Sequence, residues 1–296
     1  MSLLTTIKFI LDHPLNREHK LRSILRFAKW QIGSRLVPGA IVYEWVNQSK
    51  FLVETGETGL TGNVYTGLHE FADMGFLLHY LRPEDLFVDV GANVGSYTIL
   101  ACAAIGAKGI AFEPVPSTYE KLVQNLHINY LGDKVESVNS GVGAGQGTIA
   151  FTSDSDTTNH VVASGERYEN TVTVNVTALD AALTGQFPSL IKIDVEGYET
   201  PVLEGARQTL KNPSLNAVIM ELNGSGSRYG FDESEILALM LKCGFKTYSY
   251  NPISRTLIDL DGKNITSGNT LFIRDRFFVE ERLKGAPRVE ILGSFF

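Results

Sequence analysis

The chain has 296 residues, 44% of them hydrophobic, enough for one large domain or two small ones, and this composition excludes a disordered, collagenous or disulfide-stapled protein. A formal charge of −7, from 26 Lys and Arg against 33 Asp and Glu, excludes nucleic-acid binding through a broad basic field. Cys102 and Cys243 lie far apart without C-x-x-C spacing, so neither a disulfide framework nor a thiolate metal site is expected, and the expected location is a reducing cytoplasm.

Residues 1–11 carry one charge, Lys8, inside the apolar run instead of ahead of it, and Asp12-His13-Pro14 is no small-residue cleavage site, so no signal peptide is read there. The longest nearly apolar stretch, residues 97–107, is far short of the roughly 20 that a membrane-crossing helix needs, and no transmembrane segment is expected. Charge is spread unevenly: residues 1–50 hold eight Lys or Arg against three acids, a balance of +5 that leaves −12 on the other 246. In this leader Leu21, Ile24, Leu25, Ala28 and Ile32 share one helical face, while Lys20, Arg22, Arg26, Lys29 and Arg35 decorate the rest. Such a helix can lie on an acidic membrane surface or grip an acidic partner. The expectation is the plainer one, that its apolar face packs on the domain and its charges are solvated. Gly56, Gly59, Gly62 and Gly67 then punctuate a Thr-rich connection expected to form turns or short hairpin strands.

From about His69, short β-branched runs alternate with helical periods, the mark of a parallel sheet covered by helices. Residues 86–90, 108–112 and 134–138 read as strands, separated by helices over 94–105 and 117–130, a βαβαβ unit. The glycine-rich run 141–147 and the polar run 152–159 read as a loop-rich insertion, with 171–176 extended. Alternation resumes with a strand at 190–195, a helix at 199–210, a strand at 217–222 and a helix at 233–243. Segments 245–250 and 270–273 are expected to close the sheet as a pair, and no internal repeat is visible.

Residues 87–97, Phe-Val-Asp-Val-Gly-Ala-Asn-Val-Gly-Ser-Tyr, form a strand that ends in a glycine-bearing turn and enters a helix. Gly91 and Gly95 are expected to let a ligand approach the backbone, and the helix N-terminus offers it free N–H groups. A dinucleotide site holds its pyrophosphate with G-x-G-x-x-G; here the spacing is G-x-x-x-G, and Asp89, two residues ahead of the first glycine, repels phosphate. A carboxylate there suits a nucleotide-type ligand with an ammonium group and no phosphate, as at the amino-acid end of S-adenosylmethionine. Glu113, 22 residues after Gly91, ends the second strand where an acid accepts hydrogen bonds from ribose hydroxyls. Pro114 and Pro116 are expected to leave it exposed at the strand's carboxyl edge. Asn139 and Ser140 occupy the corresponding edge after the third strand and can meet an adenine.

Residues 190–199, Leu-Ile-Lys-Ile-Asp-Val-Glu-Gly-Tyr-Glu, collect three acids and a lysine at a strand end. Alternation puts Lys192 and Asp194 on one side, with Glu196 just beyond. Unpaired charges in an apolar strand are costly, so an ion pair is the plain reading, and Glu199 can simply favour the N-terminus of the next helix. The functional reading puts this edge beside a transferable methyl group. Methyl transfer from a sulfonium is an in-line displacement whose acceptor must be aligned and must lose a proton. Asp194 and Glu196 are the candidate bases, with His160, beside Asn159 in the insertion, a third. Paired acids, joined by Glu221 at the end of the next strand, can alternatively hold Mg²⁺. These residues leave base and metal ligand both open.

Together with Phe112-Glu113-Pro114, Asn139 to Gly147 and Val202-Leu203-Glu204-Gly205, the two motifs resemble the FkbM-type methyltransferases over residues 67–272. The resemblance implies a class I, Rossmann-like α/β fold, a seven-stranded mostly parallel sheet flanked by helices, with S-adenosylmethionine as donor. It implies a cofactor site of Asp89, Gly91, Asn93, Gly95 and Glu113, and places Lys192, Asp194 and Glu196 near the acceptor. Glu70 matches a position that is often acidic in the family and is grouped with the cofactor residues, as are Ser96 and Asn139. His160, Asn159 and Glu221 are grouped with the acceptor. Family members mostly methylate hydroxyls of sugars or natural products, and some similar enzymes act on amide nitrogen.

The expected protein is thus a soluble enzyme with a basic helical extension (1–66), a methyltransferase domain (67–276) and a C-terminal extension (277–296) that covers the site or mediates homo-oligomerisation. The expected reaction is O-methylation of a hydroxyl on a sugar or natural-product intermediate. Its rivals are N-methylation of a peptide or amide side chain, with the basic leader docking an acidic leader peptide, and a non-catalytic S-adenosylmethionine-binding module. An NAD(P)-dependent reductase is disfavoured by Asp89 and the missing glycine.

Overall fold

The computed structural model describes residues 3–54, 56–153, 159–163, 165–168 and 170–296. Helices α1 (Leu3–Asp12) and α2 (Lys20–Leu36) precede a hairpin of β1 (Ile41–Glu44) and β2 (Lys50–Val53), then α3 (Thr58–Thr66) and α4 (Phe71–Tyr80). Next come β3 (Leu86–Val90), α5 (Ser96–Ile99) continuing as a π-helix over Leu100–Ile105, β4 (Lys108–Phe112), α6 (Pro116–Ile128) and β5 (Val135–Val138). Strands β6 (Gly141–Val142), β7 (Gly147–Thr152) and β8 (Thr171–Thr177) make a separate small sheet. The main body continues through α7 (Leu179–Ala182), β9 (Leu190–Ile193), α8 (Glu199–Glu204), β10 (Ala217–Glu221), α9 (Glu233–Lys242), β11 (Lys246–Asn251), β12 (Thr256–Asp259) and β13 (Asn269–Ile273). Helix α10 (Arg276–Lys284) and the hairpin of β14 (Glu290–Ile291) and β15 (Ser294–Phe295) follow.

The central sheet has the order β12-β11-β13-β10-β9-β3-β4-β5. Strands β5, β4, β3, β9 and β10 are parallel, and β13 inserts antiparallel between β10 and β11. This is the class I arrangement expected from the resemblance, with β12 added as an eighth strand at the edge. Its inner strands β3, β4, β9, β10 and β13 are largely buried on both faces because helices cover both. Phe87 joins the core under α4 and the π-helix, and its neighbour Val88 joins the core under α8 and α9, as a period of two requires. Strand order reverses at β3, so the crevice beyond the carboxyl ends of β3 and β9 is where ligands of open α/β sheets sit.

Four expectations are corrected. Helix α2 does not bury the face of Leu21, Leu25 and Ile32, which are exposed; it buries Ser23, Trp30 and Ser34. Trp30 packs with Ile10, Phe51 and Val64, and Arg26 donates to the carbonyl oxygen of Tyr65 at 2.6 Å and to Asn16 Oδ1 at 2.7 Å. One large aromatic and one guanidinium capping the end of α3 outweigh a row of aliphatics. The Thr- and Gly-rich connection forms α3, not turns or hairpin strands: Leu60 and Val64 enter the core and override the poor helix propensity of Gly59 and Gly62. The glycine-rich run is partly β6 and β7, paired with β8; positions 154–158 of the polar run after it lie outside the described residues. The helix expected over 199–210 stops at Glu204, because the turn at Gly205 lies against the Gly143 carbonyl, where an added Cβ would come within 2.1 Å of the oxygen.

The C-terminal segment packs on the body, with the buried Phe296 ring against Phe71 and His79. Among the described residues no helix is long and apolar enough to cross a membrane.

Candidate active site

A cavity of about 390 Å³ opens at the carboxyl ends of β3, β4, β9 and β10. Its walls include Glu70, Asp89, Gly91, Asn93, Ser96, Glu113, Asn159, Lys192, Asp194, Glu196 and Glu221, so the fold gathers most of the residues singled out from sequence. Gly95, Asn139 and His160 are not on its wall, and neither is any residue of the C-terminal extension.

The β3 turn needs left-handed backbone at Gly91 (φ 81°), Asn93 (φ 51°) and Gly95 (φ 93°). Gly91 lines the cavity, and the space beside both glycines is also needed by the protein itself. A Cβ at Gly91 would stand 1.9 Å from the carbonyl oxygen of Asp194, and one at Gly95 would stand 2.7 Å from Leu122 Cδ1. Both glycines admit parts of the protein itself.

Asp89 is buried on the cavity wall with two unlike oxygens. Oδ2 accepts a 2.6 Å hydrogen bond from Thr98 Oγ1, while Oδ1 is buried without a partner. Burial raises its pKa, opposed by Lys192 and the Thr98 hydrogen bond. A carboxylate on a cavity wall with one buried oxygen unpartnered calls for a donor, and the ammonium end of S-adenosylmethionine fits it. Glu113, expected to be exposed, is buried: Oε2 accepts from the Asn93 N–H and Oε1 from the Val115 N–H, each at 2.9 Å. Those bonds lock the β3 turn to the start of α6. Burial pushes its carboxyl up to about 7 against those two N–H groups, and each oxygen keeps a lone pair for a hydroxyl donor. Asn139 does not meet the cavity, since its amide donates to the Glu113 and Pro114 carbonyls at 2.9 and 3.0 Å; its neighbour Ser140 lines the wall.

On the other side Lys192 Nζ lies 2.6 Å from Asp194 Oδ2 and 4.7 Å from the centre of the Tyr97 ring. Burial alone would lower the lysine, but Asp194, Glu70 and Asp89 together raise it, so it is charged. Glu70 accepts from Tyr97 Oη at 2.8 Å and from Asn269 Nδ2 at 2.7 Å. The ligating oxygens of Asp194, Glu196 and Glu221 lie within 4.8 Å of one another. Burial, then the Asp194 charge, pushes Glu196 up to about 7. Burial and the charges of Asp194, Glu196 and Glu199 push Glu221 up to about 9, and its Oε2 is buried without a partner. Glu199 does not cap α8; its Oε1 accepts from the N–H groups of Val195 and Gly197, ahead of the helix, and so shapes the loop that carries Glu196. Proximity of three carboxyls is all that points to Mg²⁺, and proximity alone makes no metal site.

His160 does not line the cavity. It is buried edge-on against Tyr168, with Nε2 3.1 Å from the Tyr168 hydroxyl. The histidine that does line the cavity is His69, whose Nδ1 is buried without a partner and whose pKa is lowered by burial. Sequence reasoning missed it, and missed Asp73 and Tyr97. Asp73 is fully enclosed and pushed up to about 8, first by burial and then by Glu70. The one available signal was their position beside Glu70 or in the helix after the glycine turn.

The description "Methyltransferase FkbM domain" matches residues 89–247, more than half of the chain. Hexuronic acid methyltransferase AglP of Haloferax volcanii is 28% identical over 176 residues, covering 58% of this chain and 67% of the relative. Methyltransferase sdnD of Sordaria araneosa is 26% identical over 209 residues, covering 59% and 79% respectively. Among solved structures, precorrin-6y C5,15-methyltransferase of Geobacter metallireducens is a distant likeness, with TM-score 0.41 and 10% identity over 77% of this chain and 94% of that one. With its cavity at the switch point of a class I sheet and a family match across that sheet, the chain belongs to the FkbM family of S-adenosylmethionine-dependent methyltransferases.

Proposed function

We propose that the enzyme methylates a hydroxyl of an uncharged sugar or natural-product intermediate. The observation that carries this reading is the pair Glu196 and Glu221, neighbouring carboxyls pushed to about 7 and about 9 in one cavity. Two acids driven apart in this way divide the labour of proton acceptor and proton donor. When bound, S-adenosylmethionine supplies an electrophilic sulfonium methyl group. Asp89 Oδ1 would hold its ammonium and Glu113 its ribose hydroxyls. Glu196, close to half ionised at neutral pH, takes the acceptor hydroxyl's proton. Glu221 keeps its own proton and donates a hydrogen bond to a second acceptor oxygen. Burial first, and then the charge of Asp194, which Lys192 anchors, keeps both neighbours raised.

Charge supports the uncharged acceptor. Among the described wall residues the one Lys or Arg is Lys192, already engaged by Asp194. A uronic acid, the class named for the Haloferax relative, would meet three acids and no unengaged cation. The test offers isotopically methyl-labelled S-adenosylmethionine with neutral glycosides, the matching uronic acids and peptide amides. A labelled methyl ether on a neutral glycoside is the expected product; faster labelling of uronates, or label on nitrogen, would overturn the reading.

A further inference from the structure

We infer that the outer face of α2 is a docking surface for an anionic lipid bilayer. At 100° per residue, Leu21, Leu25, Ile32 and Leu36 fall within about 60° of one another around the helix. All four are exposed, at 74, 60, 63 and 76% respectively, and Trp30, which ties α2 to the body, lies on roughly the opposite side. The arc is therefore not a core face left slightly open but a second, outward-pointing apolar row. Lys29 and Arg22 border it on one side, Arg35 and Lys20 on the other, and all four are exposed. Helix α2 has no Asp or Glu, although the chain beyond residue 50 carries −12.

The pattern selects the occupant. A row of separate aliphatic side chains standing out from a 17-residue helix, with bases on both flanks, puts hydrocarbon below and ammonium or guanidinium groups level with lipid phosphates. Long basic side chains reach sideways to such headgroups while their stems stay apolar. A second copy docking α2 on α2 across a two-fold axis would instead oppose two helices of purely positive charge. An acidic protein would satisfy the bases but would need its own apolar ridge to cover the row. The acidic remainder of the chain is repelled by the same bilayer, so contact is confined to this leader and orients the body away from the surface.

The 296-residue chain is sedimented with vesicles of mixed phosphatidylcholine and phosphatidylglycerol, and with vesicles of phosphatidylcholine alone. Binding to mixed vesicles at least about tenfold tighter than to pure phosphatidylcholine is expected, weakening in salt of about 1 M, where the Debye length is ~3 Å. The Leu21→Ser, Leu25→Ser, Ile32→Ser triple variant should bind mixed vesicles about tenfold more weakly or worse, because three apolar anchors are lost. Its affinity for S-adenosylmethionine and its melting temperature should stay as in the wild type, since these side chains point outward. Should it fail to fold, the Lys20→Glu, Arg22→Glu, Lys29→Glu variant gives the same readout with the apolar row intact. Equal or absent binding of the wild type to the two vesicle types overturns the inference. So does wild-type vesicle binding by a folded variant. A concentration-dependent dimer that the triple variant loses, without vesicle binding, assigns the face to a second copy and also overturns it; capture of polyglutamate in preference to vesicles does the same for an acidic protein.

Discussion

Asp89 presents one oxygen that the protein satisfies and one that it does not. Asp89→Ala removes the group that would meet the ligand's ammonium, and we expect S-adenosylmethionine binding to weaken by about 1–3 kcal/mol in calorimetry, the worth of a hydrogen bond to a charged group; wild-type affinity would contradict the assignment. Glu196 and Glu221 make a prediction through pH. A base that must be ionised gives a rate that rises with pH through its pKa, and a donor that must be protonated gives one that falls through its own. The profile of kcat/KM should therefore climb near pH 7 and decline near pH 9, with both apparent values belonging to the carboxyl cluster as a whole. Glu196→Gln should lower kcat roughly 100-fold and erase the climb. Glu221→Gln still donates a hydrogen bond, so it should keep most of the rate while the decline disappears. Sequence reading identified these acids by type and position, because alternation in a strand is a local property. It misjudged Glu113 as exposed, since two backbone N–H groups from other segments enclose it.

Elements meet at Gly91, where the turn after β3 touches the carbonyl that follows β9. Gly91→Ala combines a left-handed φ of 81° with a Cβ 1.9 Å from the Asp194 oxygen, so the Asp194 loop must shift. A cost of about 3 kcal/mol in urea unfolding is expected, against about 1 kcal/mol for Gly39→Ala, whose φ of 82° is similar but whose Cβ would meet open space. Equal costs would show that backbone strain alone matters at Gly91. The same scale shows why strands were easier to read than helices. Strands β3, β4 and β10 are short apolar runs with both faces covered, and their boundaries follow from composition. Helix α3 is built on glycines and threonines, and α2 turns inward the face carrying Trp30 and Arg26. Propensity and periodicity are silent there, because the choice was made by contacts with other elements.

Across the whole molecule, buried titratable groups set a window of stability. His13 and His79 are lowered from 6.5 to about 4, mainly by burial, so the stability they contribute is full above pH 6.5 and is lost as pH falls toward 4. The carboxyls shift the other way. Asp73, Glu113, Glu196, Glu199 and Glu221 are raised from 3.8 or 4.5 to between about 7 and about 9. Their contribution is full below about pH 4 and is lost as pH rises through those folded-state values. Between pH 7 and pH 9 the raised carboxyls dominate, with the raised Cys102 thiol acting in the same direction near the upper end, so the melting temperature of the ligand-free protein should fall over this interval, and Glu221→Gln should flatten that fall; a melting temperature that rises there would refute the account. The sequence by itself determined the alternating strands, the glycine turn with Asp89 ahead of it, and the acidic end of β9, since each is written in neighbouring residues. Only the tertiary structure decided that Glu113 is enclosed, that His69 and not His160 reaches the cavity, that Glu221 joins Asp194 and Glu196, and that α2 shows its aliphatic row to solvent. Burial and electrostatic coupling are sums over groups brought together from distant parts of the chain, and no local pattern contains those sums.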